Sequence, residues 1–591
     1  MHRRWLVNRT NPEYINYLSK AASVSPVLAQ ILMNRGLNSL EKISSFLNPH
    51  ISQLSDPFDM QGMKIAVERI LSAAKGGEKV LIHGDYDADG LSAAAIALKA
   101  VKMLGIDCSA FIPNRTEHGY GFNPSSVIKA KETGASLIIT VDCGITAFEA
   151  AALSRKEGID VIITDHHEPL LKNEVEKMES NEDETLSTSQ PLNFSTSGLL
   201  LPEALAIINP KVSGRQSPVA NLSGAGIAFK LAQALCMVRD SGLTIHHFID
   251  LAALGTMADV VPLTGENRII VREGLKLMDK GARPGLQALK QVAGIDRKAI
   301  RTGLLLFTVI PRINAAGRMS DAGAVLDLLL TDSGDKAIEI ALWLDKLNAE
   351  RQQVEEEAYQ EALCMLKDKS MGEVIVLSRE GWNRGVIGIV AARITEKFHR
   401  PSFILSVEGK IARGSARSIP SFDICESLRG CKELLTGYGG HAQAAGLELD
   451  SRNIVSFEEK INMIAKEMLV EKDLVPSLEI DANVDFSDID FNLMSELEML
   501  EPFGFGNPEP FLGSKNLEVL FPRILKNNHL KMKLRQKNLS LDAIGFNMAA
   551  LFETLGESGS VDAVYTPLIN EWEGRRSVQL NLKALRPSLT T

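Results

Sequence analysis

Val80-Leu81-Ile82-His83-Gly84-Asp85-Tyr86-Asp87-Ala88-Asp89-Gly90 decides how this chain is read: an apolar run breaks into three aspartates at alternate positions. Two readings fit it. A buried strand can deliver acids to its C-terminal end, or the Asp/Gly-rich half can be a turn capping the helix-forming Leu91-Ser92-Ala93-Ala94-Ala95-Ile96-Ala97-Leu98. On an extended segment an Asp-x-Asp spacing puts both carboxylates on one side, because side chains alternate.

Working outward, short β-branched runs alternate with helical segments from Val80 to about Leu263: Lys79 to His83, Leu137 to Val141, Val161 to Thr164 and Ala206 to Asn209. That alternation predicts an α/β fold with a parallel sheet and crossover helices. Ligands of such sheets bind at the C-terminal strand ends. Further acid or imidazole clusters sit at the ends of apolar runs: Asp142 after Leu137 to Val141, Asp165-His166-His167 after Val161 to Thr164, and Asp259 after Leu251 to Ala258. A single such residue is usually a cap or a satisfied core group. Four clusters in one sheet point elsewhere.

Converging carboxylates repel one another unless cations neutralise them. Carboxylate oxygens with one or two imidazoles suit Mn²⁺ or Mg²⁺. Asp87 and Asp89 would each face a metal, with Asp142 bridging a pair separated by roughly 3.5 to 4 Å.

Composition bounds the remaining possibilities. At 591 residues the chain is long enough for several domains. A hydrophobic share of 45%, a charged share of 23% and no long apolar run predict a soluble globular protein without membrane spans. The N-terminus returns to polar residues too soon for a signal-peptide core, so the expected location is cytoplasmic. Cys108, Cys143, Cys236, Cys364, Cys425 and Cys431 form no Cys-x-x-Cys pair, which argues against a disulfide framework or thiolate zinc site. A net charge of -10 argues against broad nucleic-acid coating but leaves room for a local basic groove.

The expected organisation is a helical lead-in over 1–75, a parallel-sheet domain over 76–330 and a connecting helix over 331–370, followed by a smaller α/β domain over 371–470 and a linker and small β-barrel over 471–591. Within it, 172–199 is acidic and then Ser/Thr-rich, reading as a surface insertion. Leu530-Lys531-Met532-Lys533-Leu534-Arg535 alternates with the period of a strand. Arg523, Lys526, Lys531, Lys533, Arg535 and Lys537 form a basic stretch that could track a nucleic-acid backbone.

Asp85-Tyr86-Asp87-Ala88-Asp89-Gly90, Asp142, Asp165-His166-His167 and Ala258-Asp259-Val260-Val261-Pro262-Leu263 resemble, in order, the four motifs of the DHH phosphoesterases. Gly439-Gly440-His441-Ala442-Gln443-Ala444-Ala445-Gly446 resembles the glycine-rich loop of the associated DHHA1 domain. Pro311-Arg312-Ile313-Asn314-Ala315-Ala316-Gly317-Arg318 and Leu500-Glu501-Pro502-Phe503-Gly504-Phe505-Gly506-Asn507-Pro508 resemble segments of the RecJ family of single-strand-specific 5′-to-3′ DNA exonucleases.

The resemblance implies an OB-type final barrel and two divalent ions, Mn²⁺ or Mg²⁺, held by Asp87, Asp89, Asp142, His166 and Asp259. Asp85 and His83 are further candidate ligands. It implies that His167 touches the scissile phosphate and that Asp165 orients the histidine pair. Arg115, Ser415 and Arg417 would form a 5′-phosphate pocket, with Arg312, Asn314, Arg318 and His441 as further substrate contacts. Implied partners are single-stranded DNA, a helicase and a single-strand-binding protein, acting with a monomer in DNA repair and recombination. Trp382-Asn383-Arg384-Gly385 departs from the DHHA1 pattern, which has histidine where Asn383 stands. Alternative functions are a DHH phosphodiesterase acting on short oligonucleotides, cyclic dinucleotides or pyrophosphate, and a non-catalytic DNA-binding replication factor.

Overall fold

The computed structural model describes residues 3–8, 10–113, 121–171, 198–212, 217–238, 244–281, 283–367, 369, 371–526, 528–553, 560–572 and 574–588. The expected contact Arg115 and most of the expected 172–199 insertion lie outside the described residues.

The first sheet is wholly parallel, with the strand order Asp107–Phe111, Lys79–Gly84, Ala135–Val141, Asp160–Thr164, Ala206–Ile208. Its middle strands are almost continuously apolar because helices cover both faces. Their register matters more than their composition. Gly84 is aligned with Val141, Val141 with Thr164, and Thr164 with Ile208. The next residue in each strand therefore falls into one row, Asp85, Asp142, Asp165 and Asn209, at the spacing of neighbouring strands, about 4.8 Å.

The two readings of the opening stretch are each correct for half of it. The strand ends at Gly84, and Asp87 caps the helix Ala88–Met103 by accepting from the Asp89 and Gly90 N–H groups at 3.0 Å. Asp87 and Asp89 thus share a side through cap and first-turn geometry, not through strand alternation. The fourth cluster also differs from expectation: Ile249–Ala258 is a helix, buried all round, and Asp259 is its C-cap residue. An uninterrupted apolar run carries no period, so a buried helix there reads like a buried strand.

The connecting helix spans Gly334–Lys367. Beyond it lies a mixed sheet ordered Gly437–His441, Ala444–Asp450, Ile411–Arg417, Ser402–Glu408, Ile375–Glu380. The segment expected as a glycine-rich loop is an antiparallel hairpin, with His441 opposite Ala444. Glycines there admit close strand approach: a Cβ at Gly440 would collide with the Ala444 carbonyl, and its φ is 149°. The final sheet closes on itself through pairing of Leu512–Leu525 with both His529–Gln536 and Val561–Trp572. That is the expected barrel.

The lead-in expected over 1–75 is divided between two bodies. Arg4–Val7 pairs in parallel with Ser477–Ile480, and Leu18, Leu28, Leu32 and Phe46 share one core with barrel residues such as Leu512, Leu534 and Tyr565. The helix Met63–Gly76 instead packs into the core of the first sheet. Helical periodicity shows which face is apolar but not which distant segment will cover it. Among the described residues no helix is long and apolar enough to cross a membrane.

Candidate active site

The row of strand-end residues forms one wall of a polar centre, and two helices supply the rest. Asp89 is buried in the first turn of its helix, where its Oδ2 accepts from Gly224 N at 2.7 Å and its Oδ1 from Ala225 N at 2.9 Å. These donors are the free N–H groups that open the helix Gly224–Val238, a favourable seat for an anion. Small residues make the approach possible: a Cβ at Gly224 would collide with the Asp142 carboxylate, and one at Gly255 would lie 2.5 Å from Asp89 Oδ1. Asp142 itself is held at φ 60°, a left-handed conformation that Asp adopts more readily than most residues.

Three groups bring one ligand atom per residue within 4.8 Å of the others: Asp85 with Asp87 and Asp142; Asp89 with His166 and Asp259; Asp142 with His166 and His167. His166 joins two of them. Its Nε2 lies 3.1 Å from Asp142 Oδ1 and its Nδ1 3.6 Å from Asp259 Oδ2, yet both oxygens are buried without a hydrogen-bond partner among the described residues. Buried acceptors left this way are costly unless something else satisfies them. Burial pushes Asp89 and Asp142 well above the usual carboxylate range, and repulsion from neighbouring carboxylates, Asp259 and Asp87 for Asp89 and Asp89 and Asp87 for Asp142, adds to it. Burial also lowers His166, which favours the neutral imidazole a metal requires. Hard oxygen donors, a neutral imidazole, orphaned acceptors and excess negative charge fit divalent Mn²⁺ or Mg²⁺.

Asp165 plays a different part and belongs to none of the three groups. Its Oδ1 accepts from the His166 and His167 backbone N–H groups at 2.7 and 3.0 Å and lies 2.7 Å from His167 Nδ1, while its Oδ2 accepts from Ile145 N at 2.9 Å. Burial opposes its charge, but the bond from His167 and the nearby imidazoles hold it below the usual carboxylate range. Burial likewise opposes a charged His167, yet Asp165, Asp259 and Asp85 raise it to about 9, leaving a half-exposed cation beside the centre. Asn209, the last residue of the row, donates to the His167 carbonyl at 3.0 Å. Sequence reasoning misses its role, although it closes the fourth apolar run.

His83 lies outside the three groups. Its ring sits between Phe111 and Phe122 and its Nδ1 is 3.0 Å from Ser126 Oγ, while its Nε2 is buried without a hydrogen-bond partner among the described residues; burial pulls its pKa down to about 3.

A cleft of about 670 Å³ runs from Tyr86 and Asp87 across Asn314 and Arg318 to Ser415, Arg417 and His441 on the second sheet. Asn314 Oδ1 accepts from Ala88 N at 2.8 Å and so braces the aspartate loop. Arg318 donates to the Gly385 carbonyl at 3.0 Å across the cleft floor. Arg417 bonds Ser415 Oγ at 3.1 Å and the Ala416 carbonyl at 2.8 Å, which holds its guanidinium against its own strand. The cleft also contains Arg384 and Arg413, which the sequence motifs leave without a role. Arg312 departs from expectation: it is committed to Asp345 at 2.7 Å and to the Thr308 carbonyl, tying two helices together away from the cleft. Asn383 has a local explanation: its side chain accepts from Gly385 N at 2.7 Å, forming the turn before the helix Ile387–Phe398. On the barrel, Arg535 and Lys537 are paired with Glu518 and Asp485, while Arg523 and Lys531 face each other across the ladder. The exposed basic face is thus narrower than the sequence suggests.

Three family models match: the DHH family, N-terminal domain over 79–201, the DHHA1 domain over 352–467 and the RecJ OB domain over 480–584. The chain is 36% identical to the single-stranded-DNA-specific exonuclease RecJ of Bacillus subtilis (strain 168), over 98% of this chain and 70% of that protein. It is 32% identical to RecJ of Escherichia coli (strain K12), over 96% of each chain. Its fold superposes on the crystal structure of RecJ in complex with Mn²⁺ from Thermus thermophilus with a TM-score of 0.82 at 29% identity, covering 99% of this chain and 80% of that one. A Mg²⁺ complex of the same Thermus protein matches with a TM-score of 0.76 at 28% identity, covering 99% and 79%.

Proposed function

The chain belongs to the RecJ family, and from that premise we infer that it is a metal-dependent single-stranded-DNA-specific exonuclease that releases 5′-mononucleotides from a 5′ end. The observation that supports the chemistry is the convergence of Asp85, Asp87, Asp89, Asp142, His166 and Asp259, with the Asp142 and Asp259 oxygens left unsatisfied. Asp85, Asp87 and Asp142 would hold one divalent ion, and Asp89, His166 and Asp259 the other. Bound there, the ions supply a water of lowered pKa and offset the charge that develops on the phosphate.

The chain's own groups do the rest. Asn314 and the Gly224–Ala225 amides hold Asp87 and Asp89 in place through the bonds described above. His167, kept cationic by Asp165, offers a positive N–H to a phosphate oxygen. Ser415, Arg417 and His441, with Arg318 and Arg384, line the far side of the cleft, where a terminal phosphate would sit. The barrel, with Arg523, Lys531 and Lys533 on its face, holds the trailing strand, which a cyclic dinucleotide or pyrophosphate would not need. A helicase and a single-strand-binding protein would supply that strand in cytoplasmic repair and recombination.

End-labelled single- and double-stranded DNA with Mn²⁺, Mg²⁺ or chelator tests the reading. Mononucleotides are expected from the 5′ end of single strands alone, and only with metal. Cleavage of a cyclic dinucleotide but not of DNA would overturn it. Arg417→Ala is expected to lose about tenfold of the preference for a 5′-phosphate over a 5′-hydroxyl end, the worth of one charge-assisted hydrogen bond. Full retention of that preference would remove Arg417 from the pocket.

A further inference from the structure

A second cavity, of about 470 Å³, lies behind the cleft. Arg318, Arg384 and Gly385 line both spaces, so the same residues form the partition between them. The bond from Arg318 to the Gly385 carbonyl, at 3.0 Å, spans that partition as a bar. The neighbouring wall is fixed. Trp382 is buried, with its indole N–H donating to Glu361 at 2.8 Å and its carbonyl accepting from Ser406 Oγ at 2.5 Å. On the other side the rim residues Ser320, Asn383 and Glu408 are exposed, so the cavity opens to solvent away from the cleft.

Charge is shared unevenly along this space. Arg318 and Arg384 stand where it meets the cleft, whereas Glu408 lines the cavity alone and reaches toward Arg413 at 3.5 Å. A phosphate group would therefore be attracted to the partition and repelled at the rim. A phosphate oxygen is also a stronger acceptor for a guanidinium than a neutral carbonyl is, so a dianionic group arriving at Arg318 can displace the bond to Gly385. Trp382 and Met319 add apolar surface that suits a base. The volume falls within the range of roughly 300–1,000 Å³ common to small-ligand pockets.

We propose that the second cavity is the outlet for the released deoxynucleoside 5′-monophosphate, which passes the bar between Arg318 and Gly385 and leaves on the side opposite the incoming strand. The inference rests on the function proposed above. A strand held by the barrel fills the cleft on its entry side, so a product freed beside Asp87 could leave that way only if the strand withdrew. Arg318 and Arg384 face both spaces, which lets the phosphate move from one to the other without losing its cations. The cut strand then keeps its place and advances into the emptied cleft.

The test compares one protein before and after a plug is attached at the rim. In a full-length Cys364→Ser background, which removes the exposed native thiol, Ser320→Cys is labelled with a bulky maleimide. Burst kinetics with Mn²⁺ on a 5′-phosphorylated single strand separate the first cut from later turnovers. Labelling is expected to leave the first cut unchanged and to slow steady-state turnover by about tenfold, because release becomes the slow step. The Cys364→Ser protein given the same reagent is expected to keep its steady-state rate. Steady-state turnover unchanged by complete labelling, or a first cut slowed as much as the later ones, overturns the proposal. The plug is added to protein already folded and measured, so a folding defect cannot imitate its effect. A parent protein that cuts no single strand would count against the proposed function, not against the outlet.

Discussion

Asp142→Asn is expected to reduce nuclease turnover by on the order of 10³-fold, the equivalent of about 4 kcal/mol of lost charge stabilisation at the phosphate. It is also expected to raise the melting temperature of the metal-free protein. Asn tolerates the left-handed backbone at φ 60°, so the substitution tests charge without straining the chain. Burial raises the folded-state pKa of the parent carboxylate well above the value near 3.8 that it has when unfolded, and the charges of Asp89, Asp87, Asp85 and Asp259 add to the rise. A carboxyl raised in the folded state costs nothing below its unfolded pKa. The cost grows as pH climbs from there toward the folded value and is complete above it. At neutral pH the metal-free parent carries that cost and the amide does not. With Mn²⁺ the order should reverse, because the intact centre gains stability from ligand binding and the variant gains less. Melting curves in chelator and in Mn²⁺, beside a single-strand digestion, read all three effects. Near-normal digestion, or a variant that melts lower than the parent in chelator, would sink the assignment of Asp142 to the metal centre.

The same residue shows what the sequence could and could not disclose. Apolar runs ending in acids located Asp85, Asp142 and Asp165 because a parallel sheet aligns its strand ends, and the register of Gly84, Val141 and Thr164 puts them in one row. Asn209 completes the row but is neither acid nor imidazole, so a search for metal ligands passes over it. Asp259 was found for the wrong structural reason, since a helix buried on every side has no period to reveal it. Arg312 and Arg318 stand six positions apart in one motif, yet Asp345 claims the first and the cleft the second. Local sequence does not record which distant carboxylate will be nearby. Nor does it mark Gly317, Gly385 and Gly388 as more than ordinary glycines, because the atoms that leave no room for a Cβ belong to other segments. The barrel was legible as a barrel, whereas its shared core with the N-terminal helices was not.

Arg268 joins that shared core to the body of the first sheet, and its loss should cost stability at the joint. It is 1% exposed, and its guanidinium donates to the Phe46, Leu500 and Met499 carbonyls, each at 2.8 Å, while stacking 3.9 Å above the Phe46 ring. No carboxylate bonds it among the described residues. What replaces one is the pair of helix ends it meets: Phe46 lies in the last turn of Leu40–Leu47, and Met499 and Leu500 follow Phe491–Glu498, so their carbonyls carry the negative poles of two helices. Burial and the neighbouring cations Arg272 and Arg35 pull its pKa down to about 9, which still leaves it charged at neutral pH. Arg268 comes from the helix Gly265–Asp279 of the catalytic body, whereas its acceptors belong to the N-terminal and barrel side. Arg268→Met keeps most of the volume but takes the Arg268 donor from the Phe46 and Met499 carbonyls, while Leu500 keeps a bond from Asn507 Nδ2 at 2.8 Å, and is expected to destabilise by about 3 kcal/mol. Because the lost bonds join two bodies, the barrel and the residues before Asn48 should be released at lower denaturant than in the parent. Denaturant unfolding followed by limited proteolysis reads this directly. Cleavage of short oligonucleotides should survive in the variant, because the metal centre and the cleft lie within the other body. A variant whose barrel is released at the same denaturant concentration as the parent's would show that the joint is held by apolar packing and not by this arginine.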